Sequence, residues 1–196
     1  MEAVLTMVGD YCKAMALPCL IALPVIVVCR WLTYRKTGLF DKKREAFVVL
    51  FFLYLTAVLS QTVLPEGWSL LHFTDNPFYW PNSEKTVILL SSPIGWIRWM
   101  LTLNNHLEIV RNIGGNILLF IPYGFLFPPA FRQKKRLTVL FGFLLSLTIE
   151  ISQLFCDRIT DINDIILNTF GIIIGYLLYC IISAIMKYKQ QTSTKR

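Results

Sequence analysis

Long runs of apolar residues dominate this sequence, and each is close to the length that crosses a lipid bilayer. A membrane-spanning helix needs roughly 20 predominantly apolar residues, since the hydrocarbon core holds no water for an exposed backbone. The predicted spans are 14–32, 46–64, 112–130, 137–155 and 165–186. The sequence therefore predicts an all-α, polytopic membrane helical bundle that forms one domain over residues 1–196.

Charge and composition indicate whether the chain binds nucleic acid or membrane lipids. Charged residues make up only 16% of the chain, whereas a soluble domain carries roughly a quarter. The net charge of +7 would suit nucleic acid, but in a membrane protein basic residues collect on cytoplasmic loops and face anionic lipid headgroups. We expect membrane lipids as partners, and no nucleic acid.

The basic residues also predict the orientation. If the N-terminus lies outside, most of the 19 Lys and Arg residues fall on the cytoplasmic side, after the first span, before the fourth and in the C-terminal tail. This is the asymmetry that the positive-inside rule requires. We expect a multi-pass plasma-membrane protein with its N-terminus outside and its C-terminus in the cytoplasm.

The connection 65–111 is then an outer loop, and its 86–103 stretch resembles a span interrupted by polar residues. With Trp96, Arg98 and Trp99, this stretch fits an interfacial or re-entrant segment. It could cover the helix ends or contact a ligand. The two histidines lie in the same loop, and the cysteines show no metal-ligand spacing. We expect no metal and no cofactor, and the sequence leaves the oligomeric state open.

A stripe of polar and small residues runs along the fifth predicted helix. Its positions are spaced by three or four residues, which places them on one helical face. They are Asp161, Asp164, Asn168, Gly171 and Gly175. The acids could also serve as a helix cap, Asn168 as an interhelical hydrogen-bonding group, and the two glycines as a close helix contact.

Glu150 and Gln153 lie three residues apart near the outer end of the fourth helix, so they also share a face. A charged side chain inside the bilayer costs about 2.5–3.5 kcal/mol on insertion scales, and such groups face the bundle interior or pair. The available cations are Arg111 and Arg158. A short connection makes the fourth and fifth helices antiparallel neighbours, so we expect the two polar faces to meet.

Polar residues also open the third helix. Arg111, Asn112 and Asn116 lie near the outer face, and the two asparagines are four residues apart. They could anchor the helix and bond to its neighbours. Alternatively, they complete one outward-facing polar pocket with the acids and amides of the last two helices.

These residues fall in two stretches, "NIGGNILLFIPYGFLFP" and "SLTIEISQLFCDRITDINDIILNTFGIIIGY". Together they resemble the VanZ-like family over roughly residues 110–180. The resemblance implies a helical protein of the bacterial plasma membrane. It also implies an association with lowered sensitivity to teicoplanin-type glycopeptides, but it supplies no reaction.

Three functions fit the sequence. The first is a binding protein whose outer pocket engages a lipid-linked cell-wall precursor or an amphiphilic lipoglycopeptide antibiotic. The second is an enzyme at the membrane surface that uses Glu150, Asp161 and Asp164 as acid and base or as ligands of a hard cation. The third is a small transporter or flippase-like element. We favour the binding protein. No pair of nucleophile and base is visible for an enzyme, and the polar residues are confined to the outer half of the helices, which argues against a continuous transport path.

Overall fold

The computed structural model describes residues 2–38, 40–63, 113–132, 134–153 and 162–194, and these ranges contain five helices. The helices are α1 (Glu2–Thr37), α2 (Lys42–Thr62), α3 (Gly115–Phe131), α4 (Lys135–Gln153) and α5 (Ile162–Thr194). No strand occurs within these ranges. The prediction of an all-α membrane helical bundle is confirmed.

Four of the described helices are long and apolar enough to cross a bilayer: α1 from Lys13 onward, α2, α4 and most of α5. The remaining helix, α3, is apolar but has 17 residues and contains three prolines. The chain is therefore a multi-pass membrane protein. The predicted outer loop 65–111, with its 86–103 segment, lies outside the described residues.

Local chemistry sets the boundaries between helices. Asp41 caps α2, and its carboxylate accepts hydrogen bonds from the backbone N–H groups of Lys43 and Arg44 at 3.2 and 3.3 Å. The bond from Arg44 lowers the pKa of the Asp41 carboxyl group. The cap is therefore complete at neutral pH and is lost as the pH falls through that lowered pKa. At the end of α3, Arg132 adopts a left-handed conformation that stops the helix.

Ion pairs join the helices at one end of the bundle. Arg30 of α1 donates two hydrogen bonds of 2.7 Å to the Glu45 carboxylate of α2. Arg132, after α3, reaches Asp41 at 3.2 Å. The α1–α2 and α3–α4 connections therefore lie together, and we call this side the basic end of the bundle.

Aromatic packing fills the core. The Phe51 ring of α2 meets the rings of Tyr123, Phe127 and Phe131 of α3 edge-on, with ring centroids 5.2–5.6 Å apart. α3 packs most extensively on α5, while α1 packs on α2 and exposes most of its apolar side chains. That exposure is expected of a helix that faces lipid. The bundle therefore surrounds α3, the helix that brings Asn116 to the opposite end.

Candidate functional site

One face of α4 carries three buried polar side chains near the C-terminal end of the helix. Ser146, Glu150 and Gln153 follow at intervals of four and three residues, and are 0%, 4% and 7% exposed. The neighbouring Ile151 faces outward and is 48% exposed. Glu150 therefore points into the bundle and not toward acyl chains, as a membrane-embedded acid must if it is to be stabilised by polar contacts.

α5 presents its amide to this face. The Nδ2 group of Asn168 donates a hydrogen bond of 2.9 Å to the Ser146 hydroxyl oxygen, and Asn168 is itself only 3% exposed. α4 and α5 are antiparallel. Glu150, one turn after Ser146, therefore lies at about the same level of the bundle as Asp164, one turn before Asn168. The predicted meeting of the two polar faces thus occurs at a specific hydrogen bond.

α3 contributes through Asn116. Its Nδ2 group donates to the Asp164 carboxylate over 2.5 Å. Asp164 and Asn168 are four residues apart on α5, so the contacts with α3 and α4 stack along one side of that helix. Asn116 is thus the link that joins the third helix to the polar residues of the last two.

α2 contacts the same polar residues through its backbone, which a pattern of side chains does not predict. The Nε2 group of Gln153 donates to the backbone carbonyl of Thr62 at 2.8 Å, at the last turn of α2. Thr62 and Asp41 lie at opposite ends of that helix, so these polar residues lie away from the basic end. We call the set the polar cluster: Asn116, Ser146, Glu150, Gln153, Asp164 and Asn168.

Two acceptors in the polar cluster have no hydrogen-bond partner within the part of the chain that the structure describes. They are the Oε1 atom of Gln153 and the Oδ1 atom of Asn168, both fully buried. Each amide donates a hydrogen bond to a protein acceptor through its N–H₂ group, while its carbonyl oxygen accepts none from the described residues. A buried polar atom without a partner costs about 1–3 kcal/mol, and native proteins contain few of them.

Glycines bring α3 and α5 together beside the cluster. A Cβ atom built on Gly171 or Gly175 of α5 would overlap the carbonyl oxygen of Ile117 or Ile121 of α3. In the other direction, a Cβ on Gly124 would overlap the carbonyl of Ile172. The two backbones are in direct contact, as small residues allow in membrane helices.

Comparison with known proteins decides the family. The family model described as VanZ/LLP1 matches residues 20–183, from within α1 to within α5. The chain belongs to the VanZ/LLP1 family. The predicted VanZ-like resemblance is thereby confirmed.

One curated VanZ/LLP1 relative is protein VanZ of Enterococcus faecium, which is 38% identical to this chain over 82 residues. That alignment covers 41% of this chain and 51% of the relative, so the chain spans about half the length of the curated protein it matches. No solved structure matches the chain.

The structure brings together Glu150, Gln153, Asp164, Asn168 and Asn116 at one end of the bundle. The other four predicted site residues, Arg111, Asn112, Arg158 and Asp161, lie outside the described residues.

At the same end of this VanZ/LLP1 protein, two buried polar side chains are not among the predicted site residues. Ser146 bonds Asn168, and Asn163 of α5 is 6% exposed. Ser146 could have been found, since it lies four residues before Glu150 on the same face. Asn163 lies off the stripe of α5 and gives no such signal. The described residues contain no group of three His, Cys, Asp or Glu side chains arranged for a metal.

The chemistry available in the VanZ/LLP1 polar cluster is therefore that of oxygen acceptors. A carboxylate and two unused amide oxygens can accept hydrogen bonds from hydroxyl or ammonium groups. All of these groups lie where little water reaches, which strengthens each polar interaction.

Proposed function

We propose that this protein lowers the susceptibility of a bacterial cell to teicoplanin-type glycopeptides by binding a ligand at the polar cluster. The ligand is the headgroup of a lipid-linked cell-wall precursor or the amphiphilic antibiotic itself. The proposal rests on membership of the VanZ/LLP1 family, on the likeness to protein VanZ and on the geometry of the cluster.

The two unused amide acceptors are the observation that carries the proposal. Gln153 Oε1 and Asn168 Oδ1 are buried on the meeting faces of α4 and α5, which also carry the buried Glu150 side chain, and neither has a hydrogen-bond partner among the described residues. The N–H₂ group of each amide bonds a neighbouring helix, but a helix contact alone does not require a second buried polar atom that lacks a partner. A ligand rich in hydroxyl and amine donors would supply the missing hydrogen bonds.

The proposed orientation turns the polar cluster toward the outside of the cell. The Arg132–Asp41 contact brings the two basic connections to one end, and the Gln153–Thr62 contact lies at the other. The positive-inside rule assigns the basic end to the cytoplasm. In this bacterial plasma-membrane orientation, with the N-terminus out and the C-terminus in, the cluster faces the compartment where the antibiotic acts.

Two predicted cations, Arg111 and Arg158, would bind the anionic part of the ligand. Arg111 precedes α3, and Arg158 lies between α4 and α5. A guanidinium group recognises phosphate or carboxylate through paired hydrogen bonds. We therefore expect Arg111 and Arg158 to meet the anionic part of the ligand, while the cluster takes its hydroxyl or amine groups.

Substitution of the two amides tests the proposal. We expect Gln153→Leu and Asn168→Leu to leave the thermal stability of the purified protein within a few degrees of wild type, because removal of an unsatisfied buried acceptor offsets the loss of the one hydrogen bond that each amide donates. We expect both to reduce the minimum inhibitory concentration of teicoplanin to the level of cells without the protein. Circular dichroism of the purified proteins and antibiotic dilution series are the measurements.

Ile151→Leu is the matched control, because this side chain lies on the same helix but faces outward. It should leave both stability and tolerance unchanged. Wild-type tolerance in both amide variants, with normal membrane levels, would contradict a binding role for the unused acceptors.

A further inference from the structure

A groove separate from the polar cluster follows the surface between α4 and α5. Its volume is about 590 Å³. Its walls are apolar and come from both helices, and Thr169 adds a hydroxyl that already bonds Ile165. The wall residues are Val139, Leu140, Phe143 and Ile173. At one end the groove meets Lys135 and Arg136, in the first turn of α4.

These two cations lie where electrostatics disfavours them. The N-terminus of a helix carries a partial positive charge, so basic residues in the first turn add to an existing positive potential. The first turn of α4 contains no acidic residue, and neither Lys135 nor Arg136 forms an ion pair within the described part of the chain. Both side chains are exposed. An anion at this position would be stabilised by the cations and by the helix end together.

We propose that this groove binds one anionic phospholipid from the surrounding membrane. Its phosphate would meet Lys135 and Arg136, and one acyl chain would lie along the apolar walls. The distance from Lys135 to Phe143 along the helix is about 12 Å at 1.5 Å per residue, so the groove reaches from the headgroup level into the hydrocarbon region. A zwitterionic lipid would bring a positive group to the same cations and fits less well.

The test compares lipid selectivity of the purified full chain in detergent micelles. Native mass spectrometry would measure binding of phosphatidylglycerol against phosphatidylcholine of the same acyl chains. We expect wild type to retain phosphatidylglycerol preferentially, and the double variant Lys135→Gln/Arg136→Gln to lose about 30-fold in that preference, because it removes the two charges that contact the lipid phosphate. Glycerol phosphate, which has no acyl chain, should not compete.

The matched control is Lys134→Gln/Lys187→Gln, which removes the same charge from exposed residues that do not line the groove. It should keep the wild-type preference. An equal loss in both double variants, or unchanged preference in the Lys135/Arg136 variant, would overturn the proposal, as would full competition by glycerol phosphate. None of these outcomes depends on the glycopeptide phenotype.

Discussion

Cells that carry Glu150→Gln are expected to lose teicoplanin tolerance completely while keeping the protein in the membrane at close to its wild-type level. Glu150 is 4% exposed and lies on the same α4 face as Ser146 and Gln153. Glutamine has nearly the same shape and replaces the carboxyl group with an amide that cannot ionise. A charge held inside a membrane bundle is costly, and such groups mark functional positions. The measurements are the minimum inhibitory concentration and quantitative immunoblotting of membranes.

Two further substitutions test the same prediction, one inside the predicted site and one as a control outside it. Asp161→Asn should behave like Glu150→Gln, since both belong to the predicted site. Lys134→Ala, at the basic end, should leave tolerance unchanged because the exposed Lys134 side chain lies far from the polar cluster. Disappearance of Glu150→Gln from the membrane would instead show that the carboxylate holds the bundle together, and the proposed site would lose its main support.

The second large effect is expected at the contact between α3 and α5. Gly175→Leu places a side chain where the carbonyl oxygen of Ile121 and the backbone nitrogen of Phe125 already lie. Backbone atoms cannot turn away as a flexible side chain can, so the helices must separate. Overpacking of a core typically costs 1–3 kcal/mol, and we expect about 3 kcal/mol or more here. Thermal unfolding in detergent would show a large fall in the midpoint, with low membrane levels.

Gly115→Ala is the control for this prediction. Gly115 lies in the first turn of α3, and a Cβ atom there would meet no atom within 4 Å. Alanine also favours the helix by roughly 1 kcal/mol over glycine, so stability should be unchanged or slightly higher. A normal unfolding midpoint in Gly175→Leu would contradict the close backbone contact between α3 and α5.

Much of the bundle could be predicted because membrane helices are specified by local composition. The apolar runs located each helix, although α1 and α5 extend well past the runs 14–32 and 165–186. Beyond residue 186 the reason is that the Lys and Gln residues of α5 end the membrane-embedded part but are good helix formers. Hydropathy therefore marks where a helix is buried in lipid, and not where its hydrogen bonding stops.

The polar cluster was predicted only in part, and the division has a physical basis. Helical spacing places Glu150 with Gln153, and Asp164 with Asn168, since the period of a helix fixes its faces. Spacing does not say which neighbour a face meets. The bond from Asn116 to Asp164 was one of two alternatives, and the bond from Gln153 uses the Thr62 carbonyl, a backbone group present at every position.

The unused acceptors could not be predicted at all. An amide in a sequence offers two donors and an acceptor with two lone pairs, and only the assembled neighbours decide which of them are satisfied. Among the described residues, Gln153 and Asn168 each donate one hydrogen bond, and their amide oxygens accept none. It is this imbalance that makes the cluster a candidate binding site and not simply a polar contact between helices.

Direct binding to the purified protein in lipid nanodiscs tests the central claim most directly. Teicoplanin and a lipid-linked cell-wall precursor would each be titrated against wild type and Glu150→Gln by a fluorescence or calorimetric assay. We predict saturable binding of at least one of the two by wild type, and an affinity at least about tenfold lower for Glu150→Gln, which corresponds to about 1.4 kcal/mol. Absence of binding of both ligands to wild type, or equal affinity in the variant, would contradict a ligand site at the polar cluster.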